Sequence, residues 1–325
     1  MLANNNEAII NKLAKNSVKT NKKQYAILFF TIILSAFMLF CVFTIGMTYL
    51  NSSRLQNTRL NGAEYDIVTM NGFTSEQLNT LQQNENIRSV GIESYAGFIQ
   101  STEYDKTVEI GLLWCDEVFW DNLMSPARTK LDGHYPQNKN ELMVTKDILK
   151  TCGNENLSVG DSLILTYENN TGVYTDEFVI SGIWDGYGDT SAGFVSKAFY
   201  DETGYDLKNN GILCIKLNCN YVFPTTIQSI EKSLDFSDRQ IFAPTGYIEN
   251  SFKLLLGICG LALVICLSAY LLIYNILYLS VSGKIRYYGL LQSLGMTKKQ
   301  LVRFIIKQMI LVGILGIFIG NLLGI

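Results

Sequence analysis

The chain has 325 residues, a net charge of −3, 48% hydrophobic and 17% charged residues, and seven cysteines but a single histidine. That length holds two domains. The lone His134 excludes a histidine-rich metal site, and the small net charge gives no reason to invoke nucleic acid as a partner.

The apolar residues are unevenly spread. They concentrate in three runs, 25–50, 254–283 and 301–325, and the first two contain no Asp, Glu, Lys or Arg. Runs of this length and composition read as membrane-spanning helices. The first, at about 1.5 Å per residue, gives roughly 39 Å, more than a hydrocarbon core of about 30 Å. Charge is partitioned in the same way. Residues 1–50 carry net +4, residues 251–325 carry seven basic residues and no acid, and residues 51–250 carry net −14. Basic residues near span ends mark the cytoplasmic side. The expected arrangement is therefore a multi-pass protein of the cell membrane, an α-helical transmembrane protein with an inserted α+β extracytoplasmic domain. Residues 1–24 and the 284–300 loop are inside and residues 51–250 outside.

In chain order, residues 1–24 place Ile9, Ile10, Leu13, Ala14 and Val18 near helical spacing. Lys12, Lys15, Lys19, Lys22 and Lys23 lie between and after them. This pattern predicts a basic amphipathic segment on the inner membrane surface, with lipid as a partner. The first span, 25–50, is too long for the apolar core of a signal peptide and has no clear cleavage site, so it reads as an uncleaved anchor. Residues 51–65 read as a polar linker. Strands are expected at 65–70, 87–100 and 108–114, with a helix at 74–83 started by Thr74 or Ser75. A late strand at 212–217 and helix at 225–234 are expected to complete this early module. Between them, about 115–205, alternating apolar runs bounded by Gly-Asp and Asn-Asn-Thr-Gly turns predict a β-rich subdomain. The second span covers 251–283 and the third 301–325. In the third, Gly316, Gly320 and Gly324 are spaced for close helix packing in lipid.

Between the last two spans, Lys284–Arg303 holds five basic residues and no acid. Leu290, Leu291 and Leu294 predict a short amphipathic helix, Gly295 its stop and Thr297 the cap of the next. Arg286, Gly289, Leu290, Leu291, Leu294, Gly295, Met296, Thr297, Lys298, Lys299 and Gln300 together resemble the cytoplasmic coupling segment of FtsX/MacB-like ABC transporter permeases. That family often has an acid two residues before the first glycine, where this chain has Tyr287. Within 115–205, the order of Gly133 and Pro136, then Asn140-Glu141 and a strand, then Gly160-Asp161 and a strand, then Gly182-Ile183, is similar to the family's extracytoplasmic domain. So is Leu13–Asn16 with Asn21–Lys23 to the approach to its first span.

The resemblance implies a permease that is not itself an enzyme, moved by a separate cytoplasmic ABC ATPase. The ATPase would contact Arg286, Gly289, Leu290, Leu291, Leu294, Gly295, Lys298 and Lys299, together with the lysine-rich N-terminus. The work would be export or extrusion of a peptide, drug or lipid, or transmission of motion across the membrane. The family's repeat has a fourth span, so the sequence is expected to stand for part of a longer permease, or to pair as a dimer of permease units. A membrane-anchored signalling or scaffold protein with a ligand-binding outer domain is the alternative.

No catalytic residue stands out and no cofactor is implied. The Gly-x-x-x-x-Gly-Lys-(Ser/Thr) phosphate loop does not occur in the sequence. Cys41, Cys259 and Cys266 lie in spans. Cys115, Cys152, Cys214 and Cys219 lie in the region expected outside, where disulfides form, with Cys214 and Cys219 one conceivable pair. Trp114, Phe119, Trp120 and Trp184 either pack a core, the commoner case, or line an apolar ligand surface.

Overall fold

The computed structural model of the chain describes residues 7–100, 110–187 and 192–325. The N-terminal helix α1 spans Glu7–Thr20 and α2 spans Lys22–Asn61. The linker expected at 51–65 is instead largely helix. No proline or glycine interrupts the chain between Gly46 and Gly62, and Leu50 and Thr58 bury one side of the extension. The helix stops at Gly62, whose φ of +69° is left-handed, as a glycine after a helix end allows.

Strand β1 (Ile67–Met70) follows, then α3 (Ser75–Gln82). Thr74 and Gln77 form a reciprocal cap that starts α3 where the sequence places it. Next come β2 (Ile87–Ile99), β3 (Ile110–Cys115), β4 (Arg128–Gly133), β5 (Glu141–Thr145), α4 (Lys146–Thr151), β6 (Ser162–Asn169), β7 (Gly172–Gly186) and β8 (Ala192–Val195). Val108, expected to open β3, lies outside the described residues. The short helices α5 (Lys197–Tyr200) and α6 (Leu207–Asn210) are capped by Ser196 and Asp206. The chain continues with β9 (Ile212–Leu217), α7 (Pro224–Lys232), β10 (Ile241–Pro244), α8 (Gly246–Ser282), α9 (Ile285–Ser293) and α10 (Lys298–Gly324).

Two compact units result, Leu50–Lys253 and the remainder, 1–49 with 254–325. The first is an α+β domain on one ten-stranded mixed sheet, ordered β10-β1-β9-β2-β3-β8-β5-β7-β4 with β6 pairing β2 and β7. The β3–β8 and β5–β7 pairs are parallel and the others antiparallel. The late strand β9 lies between β1 and β2, completing the early module as the sequence suggests. The stretch 115–205 is not a separate sheet. Strand β2 pairs β9 through Ile87–Glu93 and β3 through Glu93–Ile99, so one long strand belongs to both halves.

Three apolar clusters hold this domain. One packs Ile67, Val90, Ile215, Ile227 and Ile230 under α3 and α7; another packs Leu142, Ile148, Phe178, Ile180 and Phe199. The third contains Phe119, Trp120, Trp184 and Phe194. Trp114, Phe119, Trp120 and Trp184 are all buried, so they are core residues. All seven cysteines are free. Cys214 is buried and Cys219 exposed, and the two are not joined.

A buried ionic group lies within the sheet domain, near the two ends of its chain segment. Lys216 Nζ lies 3.1 Å from Glu64 Oε1 and 3.2 Å from Asp66 Oδ2. Asp66 also accepts from the Leu217 amide, its own amide donates to the Ile215 carbonyl, and its carbonyl accepts from Thr245. Glu64 and Asp66, just after α2, are thereby tied to β9, and Thr245, just before α8, is tied to Asp66. Burial pushes the Asp66 carboxyl up, and the Lys216 charge opposes that shift.

The other unit is helical. Among the described residues, three helices, α2, α8 and α10, are long and apolar enough to cross a membrane. Their side chains turn outward: Phe30, Leu256, Leu279 and Phe318 are all exposed. In water that surface would be untenable, whereas in lipid it is solvated.

Candidate functional site

The candidate site is the short helix α9 between two spanning helices. Its C-terminus is closed by a pair of bonds, Met296 N to Leu291 O and Gly295 N to Gln292 O, each 3.0 Å. Gly295 has φ +97°, which a side chain would strain. Thr297 then caps α10: its hydroxyl accepts from the Gln300 amide at 3.3 Å, and its own amide donates to Gln300 Oε1 at 2.9 Å. Two caps back to back leave only Leu294–Thr297 between α9 and α10.

The inner side of α9 is fixed by packing. Tyr288 is buried with Ile10 and Ala14 of α1 and Phe304 of α10, and Leu291, Leu301 and Ile305 pack around them. Val281, at the end of α8, joins the same cluster. Lys284 Nζ lies 5.6 Å from the centre of the Tyr25 ring, and burial pushes its ammonium down.

The sequence reading places Leu290, Leu291 and Leu294 on one free side. The structure separates them. Leu291 is half-buried and faces the inner cluster, while Leu290 is 64% exposed and Leu294 84%. A 3.6-residue period explains the split: Leu291 follows Tyr288 by three residues, whereas Leu290 and Leu294 follow Tyr287 by three and seven. Tyr287, 41% exposed, completes the outer side. Gly289 opens onto free space, and Arg286, Lys298 and Lys299 are exposed around the apolar patch.

The sequence reading gave Tyr287 and Tyr288 no part in the site, and it did not foresee that α1 packs on α9 and α10. The apolar stripe of α1 was visible, and the covering of Ile10 and Ala14 corrects its expected contact: that face packs on protein rather than on lipid. Glu7 and Arg303, 3.9 Å apart, add an ionic contact between α1 and α10.

Three of the four glycines of α10, Gly316, Gly320 and Gly324, face α2, whereas Gly313 faces open space. A Cβ on Gly316 would lie 2.9 Å from Ile32, one on Gly320 would lie 2.6 Å from the Ile33 carbonyl oxygen, and one on Gly324 would meet Phe40. Tyr25 donates to Gln308 Oε1 in the same contact. These residues seat α10 against the first span.

Residues 259–325 match the family model described as FtsX-like permease C-terminal, which bears out the resemblance read from Arg286–Gln300. The matched segment contains most of α8 and all of α9 and α10. Among solved structures, the chain is similar to the periplasmic region of MacB from Actinobacillus actinomycetemcomitans, at 12% identity and a TM-score of 0.39, over 60% of this chain and 95% of that one. It is also similar to the extracellular domain of the noncanonic ABC-type transporter YknZ from Gram-positive bacteria, at 12% identity and a TM-score of 0.35, over 55% of this chain and 98% of that one. No match is found among curated proteins.

Proposed function

We propose that this chain is the membrane subunit of an FtsX/MacB-type ABC transporter, and that α9 is where a cytoplasmic ABC ATPase docks. The observation that carries this reading is a coincidence of two facts. The FtsX-like match covers α9, and α9 presents Tyr287, Leu290 and Leu294 outward on a helix anchored on its other side. A short helix with an apolar stripe suits a groove on a partner, and a few such anchors carry most of the energy of helix-in-groove docking. Arg286, Lys298 and Lys299 form a basic rim that steers an acidic partner. ATP-driven closure of the partner would push α9, and α10 and α8 with it. Residues leaving α2 and entering α8 are held by the Glu64–Lys216–Asp66 group, so movement of the spans would reach the sheet domain at β1 and β10. The work done outside belongs to the same proposal: extrusion of a peptide, drug or lipid, or transmission of motion to an extracytoplasmic partner. So does assembly with a second permease unit.

The test is co-purification of the full chain with its ATPase. Leu294→Asp puts a carboxylate into a dry contact, at a cost of several kcal/mol. Leu294 is solvent-exposed in the chain itself, so folding is spared. The expected outcome is loss of the ATPase at unchanged membrane level; retention would refute docking through this face. Orientation has its own measurement. In intact cells, an impermeant thiol reagent should label Asn170→Cys and leave Lys298→Cys untouched. Labelling of Lys298→Cys would reverse the topology.

A further inference from the structure

Helix α1 has two unlike sides. Ile10 and Ala14 are buried against α9 and α10. Lys12, Lys15 and Lys19 are exposed on the opposite side, and Lys23 at the start of α2 continues their spacing of three and four residues. The stripe then runs into the apolar outer side of α2: Ile27, Phe30 and Leu34 follow Lys23 by four, seven and eleven residues and are all exposed. The lysines therefore lie on the side of α1 turned away from its protein contacts, next to the polar end of the first span.

The path of α1 agrees. From Glu7 to Val18 the helix advances about 16 Å. Over that distance its contacts move from Arg303 to the cluster around Tyr25, which bonds Gln308. The α10 members of that cluster, Met309 and Val312, lie only about 9–14 Å along α10 from Arg303. Helix α1 thus crosses α10 aslant instead of continuing straight down from α2. Its contacts through Ala14 stay beside the first turns of α10.

The counter-ion is missing from this unit. Its one carboxylate side chain in the sequence is Glu7, and Glu7 faces Arg303. Among the described residues no carboxylate pairs with Lys12, Lys15, Lys19, Lys22 or Lys23. Within this unit, negative charge beside these lysines is left to the surroundings.

We propose that the stripe Lys12–Lys15–Lys19–Lys23 binds the headgroups of anionic phospholipids, clamping α1, and through it α9, to the inner membrane surface. This inference rests on the reading of α1 as cytoplasmic. It extends that reading, since the lipid then holds the helix against which the docking helix packs. Phosphate esters of the headgroups accept from the ammonium groups, and each lysine near an anionic surface strengthens binding about fivefold.

The experiment uses the full chain in phosphatidylcholine nanodiscs, without any ATPase. Trace spin-labelled phosphatidylglycerol or spin-labelled phosphatidylcholine reports the lipid fraction immobilised by the protein. The expected result is preference for phosphatidylglycerol, weakened by salt. Lys12→Gln/Lys15→Gln/Lys19→Gln should lower that preference about tenfold or more. The matching Lys→Arg triple variant should keep it, which separates charge from misfolding. Excess soluble glycerol phosphate should not compete, because the site needs the bilayer. Equal immobilisation of both probes overturns the proposal. So does a glutamine variant that keeps the preference, including one that keeps it while losing the ATPase, which would assign the stripe to the protein partner. Because the lipid readout needs no ATPase, its failure and a failure of docking through Leu294 are distinguishable.

Discussion

Phe178 in the sheet domain is 1% exposed, and Phe318 in α10 is 67% exposed. Both are large apolar side chains in regular, well-formed elements. The sheet domain gathers its apolar residues inward, under helices and across strands, because its solvent is water. The helical unit turns them outward and keeps its small residues for contacts: Gly316 and Gly320 are buried against α2. In lipid, apolar side chains gain nothing by hiding, and close backbone approach carries helix association instead. The same contrast holds for charge. The sheet domain buries Lys216 between two carboxylates of its own, whereas the lysines of α1 have no partner among the described residues of their unit. One region satisfies its charges within the chain, and the other relies on its surroundings.

The strongest way to break this comparison is to remove the buried cation. Lys216→Met leaves Glu64 and Asp66 facing each other with no positive charge, which should cost about 3–5 kcal/mol. The measurement is urea unfolding of residues 50–253 expressed alone. That fragment holds all three sheet-domain clusters and should unfold cooperatively. A variant within the error of the parent would show that the ionic group is not structural.

A matched pair of charge insertions comes next. Leu267 in α8 is 54% exposed and Ile164 in β6 is 67% exposed, so burial alone predicts the same tolerance. Solvent predicts otherwise. Leu267→Arg should cost about 2.5–3.5 kcal/mol of insertion free energy near a span centre. Ile164→Arg should stay within about 0.5 kcal/mol. Membrane yield of the first and thermal unfolding of the second decide between them, and equal effects would refute the membrane reading of α8.

The smallest effect is a pH slope. Burial pushes the Glu93 carboxyl up to about 7, from an ordinary value near 4.5. The folded domain therefore holds this proton where the unfolded chain has lost it, and stability falls as pH rises from about 4.5 to 7. Glu93→Gln should flatten that slope in thermal melts of the sheet domain between these limits. An unchanged slope would place the responsible group elsewhere.

Which parts of this were legible in the sequence follows from the range of the interactions involved. Apolar runs and charge partition are one-dimensional, so three spans and an inserted polar domain could be read directly. Capping is nearly as local. Thr74 with Gln77, and Gly295 with Thr297 and Gln300, specify helix ends within four residues, and the structure places those ends there. That the late strand joins the early module also followed from pattern, but its place between β1 and β2 is a pairing only the fold sets. Only the tertiary structure decided what covers each face. Leu291 and Leu294 are three residues apart on one short helix, and their different fates depend on Ile10, Ala14 and Phe304, residues distant in the chain. The ionic group joins Glu64 and Asp66 to Lys216 across 150 residues. The continuity of the sheet through β2 is a register between strands more than 100 residues apart. Local pattern sets which elements form and which sides are apolar; long-range packing sets which apolar side is left free to meet a partner.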